Sequence, residues 1–455
     1  MTTSDSGRRR PPSHARRERP IFQMVAAPLV SWVRSSGAYL SDVDVSANGV
    51  GEERAVYARQ AFAVNDVVLS VPLHCLITAD LAMESPVVQR LLSRGMKFHS
   101  PHTSLALFLL QHRRDPSSRW QPYLQSLPAS FPTVPVEFTD ANLFAMLTGT
   151  IAETRIRARQ AALRSEYANL LEHCPDLGYD DFRWARTVVI TRVFGVVIDG
   201  RRTCALVPMA DMLNHRPARQ TSWRYDQDQR AFVVRALEPI AVGQEILDNY
   251  GRKCNSRWLV NYGFALEPNP DNETRVWIGL AQGHPLNRLK QRLFGACTKE
   301  FRLQASCQAG QFQAAMSHAR LVCSDEEDVT SLSRRTAMQA RTDHPCLLVP
   351  PISHRNERAA LHCLREATLA TMQRFQGTLA DDNEMLGRTD LTLNERNCIV
   401  TRRGEKIVCA FFLDLFDAAM ATIDGKPVPG SAPGDPRFDP YLDTLMMSPS
   451  TSQPT

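Results

Sequence analysis

Two short blocks of this chain hold residue types that could do chemistry together. The first is 207–215 (VPMADMLNH), ending in Asn214-His215; the second is Gly243-Gln244-Glu245-Ile246 with Asn249-Tyr250-Gly251. The Tyr250 hydroxyl could hydrogen-bond an incoming nitrogen and accept weak C–H contacts from a polarised methyl group. A methyl displacement asks little more of a protein than holding a neutral amine about 3–3.5 Å from the carbon. A dry aromatic channel helps, because it disfavours the protonated amine. Asn214 brings an amide that both donates and accepts, beside a backbone able to meet a purine edge. Alone, Asn214-His215 ahead of Pro217 reads as a turn, and Tyr250 as a half-buried strand tyrosine. Only their order along the chain lifts the pair above those readings.

Elements from distant parts of the chain must position them. The stretch 53–71 is β-rich and broken by Asn65-Asp66, which predicts two strands joined by a turn. From 104–112 (SLALFLLQH) to about Thr191 the pattern is helical, so 85–190 is expected to be a helical insertion. Strand-like composition returns at 204–207 and 231–237. Strands on both sides of the helical block must share one sheet system if the domain is compact. Beyond 285 helices dominate: Leu361, Leu364, Thr368, Met372 and Phe375 mark one face, and Gly377 is a candidate stop. Thr392 and Glu395 have capping-box spacing ahead of the apolar run 399–416. The expected class is α+β: a β-rich domain over 21–275, then an all-α domain over 285–422, between tails at 1–20 and 424–455 expected to be disordered.

Together the two blocks resemble the core of a SET domain. The continuation through Asn255, Asn261-Tyr262-Gly263-Phe264 and Glu267-Pro268-Asn269 is similar to the branch typified by the plant Rubisco large-subunit lysine methyltransferase and the actin-histidine methyltransferase. Trp32, Gly37-Ala38, Arg119-Trp120-Gln121-Pro122-Tyr123-Leu124, Leu127-Pro128 and Trp184 extend the resemblance toward the N-terminus. Pro351-Ile352-Ser353 with Asn356-Glu357, Glu395-Arg396-Asn397 and Gly404-Glu405-Lys406 resemble that branch's Rubisco-substrate-binding region. The resemblance implies a helical insertion, a helical substrate-recruiting domain and methylation of a protein by S-adenosylmethionine. It implies Tyr250 as the catalytic residue. Glu52, Arg54, Arg192, Asp211, Asn214, His215, Tyr262 and Phe264 are then the cofactor contacts, and Phe194 and Ala210 line the substrate channel. One departure stands out. The first strand of such proteins usually reads Glu-Gly-x-Gly, whereas here Glu52-Glu53-Arg54-Ala55 adds two side chains where backbone must approach the cofactor. An apolar wall at Phe194 and Ala210 suits the aliphatic stem of lysine, while an imidazole would want a polar partner for its second nitrogen. Lysine is therefore the expected target. Histidine, or a non-catalytic protein-binding scaffold of the same fold, is the alternative.

The totals agree with a globular protein. With 455 residues, 43% hydrophobic and 22% charged, the chain should form two or three globular units. Its net charge of +5 is matched by the six arginines of the first nineteen positions, which argues against a nucleic-acid-binding face. Eleven cysteines form no C-x-x-C pair and no zinc spacing, so no metal site and a reducing, intracellular compartment are expected. No apolar run approaches the ~20 residues of a membrane span; 187–198 is broken by Arg192. A soluble monomer of the cytoplasm or nucleus is the expectation, with an organelle address as the sharper reading of the Arg-rich N-terminus.

Overall fold

The computed structural model describes residues 21–47, 54–280, 282–294, 298–305, 309–339 and 349–426. Contacts divide them into two compact units, one of 21–129 with 170–251, the other of 130–169 with 252–426. The region expected as one helical insertion is helical, and its residues are shared between the units.

In the first unit a four-stranded antiparallel sheet is ordered β1 (Tyr39–Leu40), β4 (Val67–Pro72), β10 (Ala231–Ala236), β9 (Thr221–Asp226). Beside it lie the pair β2 (Val43–Ala47) and β3 (Arg54–Ala58), and the three strands β5 (Ile77–Thr78), β7 (Arg201–Leu206) and β6 (Val193–Ile198). The last pair is short and parallel: β8 (Asn214–His215) with β11 (Leu247–Asp248). N-terminal strands and those after residue 190 do share sheets, as compactness requires, meeting where β4 pairs with β10 and β5 with β7.

The hairpin expected between β3 and β4 does not form. β3 pairs with β2, and β4 pairs with β10 through Leu69↔Val234 and Val71↔Phe232. The turn itself is real: Asn65 has φ 72°, and its N–H donates to the Ala236 carbonyl at 2.8 Å. What decides the pairing is burial. Residues 231–234 of β10 are all buried, so that strand needs partners on both edges and cover on both faces. The helix Pro101–Arg113 supplies similar bulk: Thr103 to Leu110 are buried without interruption, as befits a helix surrounded by core.

The second unit is built on the helix Leu393–Ile423. Its capping box forms as the spacing predicts, with Thr392 accepting from the Glu395 N–H and Glu395 reaching back to the Thr392 N–H. Leu361 and Leu364 of His354–Met372, Phe312 and Met316 of Ala309–Cys323, and Phe412 and Phe416 close around the antiparallel pair β12 (Glu273–Ile278) and β13 (Lys299–Gln304). Leu143, Leu147 and Ile156 from the earlier chain pack with Leu259 and Cys398. Deep in this unit the Asp382 carboxylate is shared by Arg402 and by Lys406, the latter at 2.8 Å.

Candidate active site

Asn214 and His215 form β8 and Tyr250 follows β11, so the parallel pairing Leu247↔Asn214 and Asp248↔His215 brings the two sequence blocks side by side. The Tyr250 N–H donates to His215 Nδ1 at 3.2 Å, and the two rings lie 5.2 Å apart. A neutral imidazole that accepts at Nδ1 carries its proton on Nε2. The Tyr250 hydroxyl donates to the Leu213 carbonyl at 2.6 Å. The loop that carries it is braced from both sides: Asn249 Nδ2 donates to the Arg216 and Pro217 carbonyls, and Asn249 Oδ1 accepts from the Gly251 N–H.

Asn214 reaches the departing segment. Its Nδ2 donates to the Arg54 carbonyl at 2.7 Å and to Glu245 Oε1 at 2.9 Å. The added side chain at 55 is buried, and the backbone at 54 remains turned toward Asn214. Glu52 lies outside the described residues. The Arg54 guanidinium turns inward and donates to the Ser126 carbonyl. Burial, then the nearby Arg192 cation, pull its pKa down to about 10, against the opposing pull of Asp211 and Tyr123.

Arg192 ends the helix Tyr179–Arg192 and donates through Nη1 to the Asp211 carbonyl at 2.8 Å and to Asp211 Oδ2 at 3.2 Å. The same oxygen accepts from the Tyr123 hydroxyl at 2.9 Å. Burial of Tyr123 pushes its pKa well up, so the hydroxyl keeps its proton and remains a donor. The turn carrying Asp211 is strained: Met209, fully buried, sits at φ 74°, ψ −43°, a conformation costing on the order of 1–3 kcal/mol for a non-glycine residue.

Phe194 starts an apolar wall, edge-on to Trp223 at 5.4 Å and to Phe232 at 5.1 Å. Ala210 is buried in the same unit. The Trp223 indole hydrogen-bonds Asp248, whose pKa burial raises. Tyr262 and Phe264 fall in the second unit, where both pack on Trp258, at 5.3 and 5.1 Å, and Lys253 Nζ sits 4.9 Å above that indole.

The first unit thus gathers Tyr250, Asn214, His215, Arg54, Arg192 and Asp211, with Phe194 and Ala210 on the same scaffold. Tyr123, Trp223, Phe232 and the side-chain role of Glu245 escaped the sequence reading. Strand alternation in 221–226 and 231–236 could have paired the two aromatics, but nothing local marks Tyr123 as the partner of a carboxylate 88 positions away. Among the described residues no group of His, Cys, Asp or Glu could hold a metal ion, and no helix is long and apolar enough to cross a membrane. An amino-acid zwitterion fits what is present: Arg192 Nε is a buried donor and Asp211 Oδ1 a buried acceptor, neither with a partner among the described residues.

Fold and family model together define a SET-domain protein methyltransferase, the class that takes its methyl group from S-adenosylmethionine; the SET model matches residues 53–251. A second region, 282–408, matches the family described as Rubisco LSMT substrate-binding. The actin-histidine N-methyltransferase of Gallus gallus is 26% identical over 428 residues, covering 88% of this chain and 71% of that one. The Homo sapiens protein of that name is 25% identical, covering 83% of this chain and 66% of its own length. A structure of the SET domain of LSMT bound to lysine and AdoHcy superposes with a TM-score of 0.72 at 20% identity, over 88% of this chain and 93% of that one. Rubisco LSMT bound to AdoMet gives 0.70 at 20% identity, over 92% and 99%.

Proposed function

We propose that this protein methylates the side-chain nitrogen of a lysine in a folded protein substrate, with Tyr250 as the catalytic residue. The observation that carries the reading is the Tyr250 hydroxyl. Its proton is committed to the Leu213 carbonyl, so toward a reacting group the oxygen is an acceptor. When bound, S-adenosylmethionine supplies an electrophilic methyl on a sulfonium, which leaves as a neutral thioether once the nitrogen lone pair forms the new bond. The protein's part is to hold and orient. Tyr250 would accept weak C–H contacts from that methyl and fix its direction. Asn214 and Arg192 would take the amino-acid tail, and the backbone at His215 the adenine edge. The Phe194 and Trp223 rings, backed by the buried Phe232, would line an aliphatic stem and exclude water, favouring the amine in its neutral, nucleophilic form.

A second reading is transfer to a histidine, favoured by the curated relatives, which are named for that reaction on actin. Against it stands the apolar wall, which offers an imidazole no partner for its second nitrogen. In either case residues 285–422 would recognise the target, in keeping with the description of the family matched there.

Purified protein, S-adenosylmethionine with a deuterated methyl group and a proteome from cells lacking this protein test the proposal, the labelled residue being located by mass spectrometry. Label on a lysine supports it. Label on a histidine replaces it with the second reading, and no label from a protein that binds the cofactor by calorimetry leaves a binding scaffold.

A further inference from the structure

Both protons of the Asn214 amide are committed within the protein, one to the Arg54 carbonyl at 2.7 Å and one to Glu245 Oε1 at 2.9 Å. Carbonyl and carboxylate oxygens only accept, so the side of the amide facing them is its NH2, and Oδ1 is turned the other way. One anchor would let the amide swing about the remaining bond. Two anchors fix its plane.

The second anchor is itself rigid. Glu245 bridges to Tyr57, its own carbonyl accepts from Gln220 Nε2 at 3.3 Å, and the next residue's N–H donates to the Val56 carbonyl at 2.7 Å. Glu245 is neither in β8 nor in β11, yet its backbone is tied to β3, the strand that also carries Arg54. The two anchors therefore sit on one framework and keep a constant spacing.

We propose that Glu245 is a positioning residue that holds Asn214 as a pure acceptor, so that the site selects the α-ammonium group of the cofactor's amino-acid tail. The inference rests on the reading that this unit binds S-adenosylmethionine. An amide held in this way has no proton for a carboxylate and discriminates against a tail with its charges reversed in position. Arg192 Nε, a buried donor, provides the complementary preference. Without the Glu245 oxygen, one Asn214 proton loses its acceptor, and the amide turns to find another.

The test is calorimetric titration with S-adenosylhomocysteine and with the same thioether lacking its α-amino group, on the parent protein, Glu245→Gln and Glu245→Met. We expect the Met variant to bind S-adenosylhomocysteine about tenfold or more weakly, the scale of one lost buried hydrogen bond. The Gln variant, whose amide oxygen accepts the same proton, should stay within about threefold of the parent. The deaminated thioether should bind all three proteins alike. A Gln variant as weak as Met would show that the charge of Glu245 acts directly on the ligand and would overturn the positioning role. Equal binding of S-adenosylhomocysteine by Met and parent would overturn it too, as would loss of the deaminated ligand in step with the full one, which marks general collapse. A parent protein that binds neither thioether would remove the cofactor reading itself, a result distinct from these three.

Discussion

At the scale of single residues, the Tyr250 hydroxyl and the Asn214 amide share one logic: each spends its protons inside the protein and offers lone pairs outward. Tyr250→Phe removes the oxygen but keeps the ring against His215, so cofactor affinity should stay close to that of the parent. Turnover should fall by about 10²-fold or more, the usual scale for a positioned catalytic group. Single-turnover kinetics beside calorimetry separate the two effects, and unchanged turnover would take Tyr250 out of the mechanism. Asn214→Ala acts on the other step. It strips partners from the Arg54 carbonyl and from Glu245 as well as from the ligand, and cofactor binding should weaken by about 1–3 kcal/mol. Equal affinity in mutant and parent would dismiss Asn214 as a cofactor contact. These two residues were legible because they sit in contiguous motifs. Trp223 was not, and Tyr123 and Glu245, though both stand in such motifs, have side-chain roles that exist only once Asp211 and Asn214 arrive from elsewhere in the chain.

At the scale of elements, local chemistry and tertiary demand can be told apart. The capping box at Thr392 and Glu395 is a matter of three residues, and the sequence sufficed to place it. The pairing of β3 with β2, and of β4 with β10, is settled by which strand has two apolar faces to cover, a property of the assembled sheet that a turn signal at Asn65-Asp66 does not encode. The motif Asn261-Tyr262-Gly263-Phe264 combines both influences. Gly263 caps the helix Asn255–Tyr262 in the left-handed region, φ 81° and ψ 18°, with its N–H donating to the Leu259 carbonyl at 3.0 Å. A methyl group there would also meet the Thr133 carbonyl, 2.8 Å from its carbon and 2.9 Å from its oxygen. Gly263→Ala should therefore cost more than the ~1–2 kcal/mol of the backbone conformation alone. Thermal unfolding would register this as a clear drop in Tm; an unchanged Tm would mean that residue 133 gives way freely.

At the scale of the whole molecule, the last helix is part of a core, not an appendage. Both carboxylate oxygens of Glu405 accept from the Ile151 N–H, at 2.9 and 3.0 Å, so Leu393–Ile423 caps the helix Ile151–Leu171 from 254 positions away. That link has no trace in the local pattern around either residue, which is why the reading of 85–190 as a single insertion could not foresee the division of its helices. Burial raises the pKa of Glu405 to about 8, outweighing the Ile151 and Ala152 N–H groups and the Arg275 and Arg155 cations, all of which favour the ionised form. In the unfolded chain a glutamate titrates near 4.3. A folded value above the unfolded one means that the native state holds the proton more tightly, so this group's contribution is complete below about pH 4 and is lost as pH rises through about 8. The carboxyl is fully buried, and a shift of this size corresponds to a few kcal/mol across that window. Glu405→Gln keeps an acceptor for the Ile151 N–H and cannot ionise. Melting curves collected between pH 5 and 9 should show the parent losing stability as pH rises toward about 8 and the Gln variant losing less, so that the gap between the two widens from about pH 5 to about pH 8 and then holds. Parallel curves over that range would mean that Glu405 stays ionised in the folded protein, held by Arg275, Arg155 and the helix N-terminus against the cost of burial.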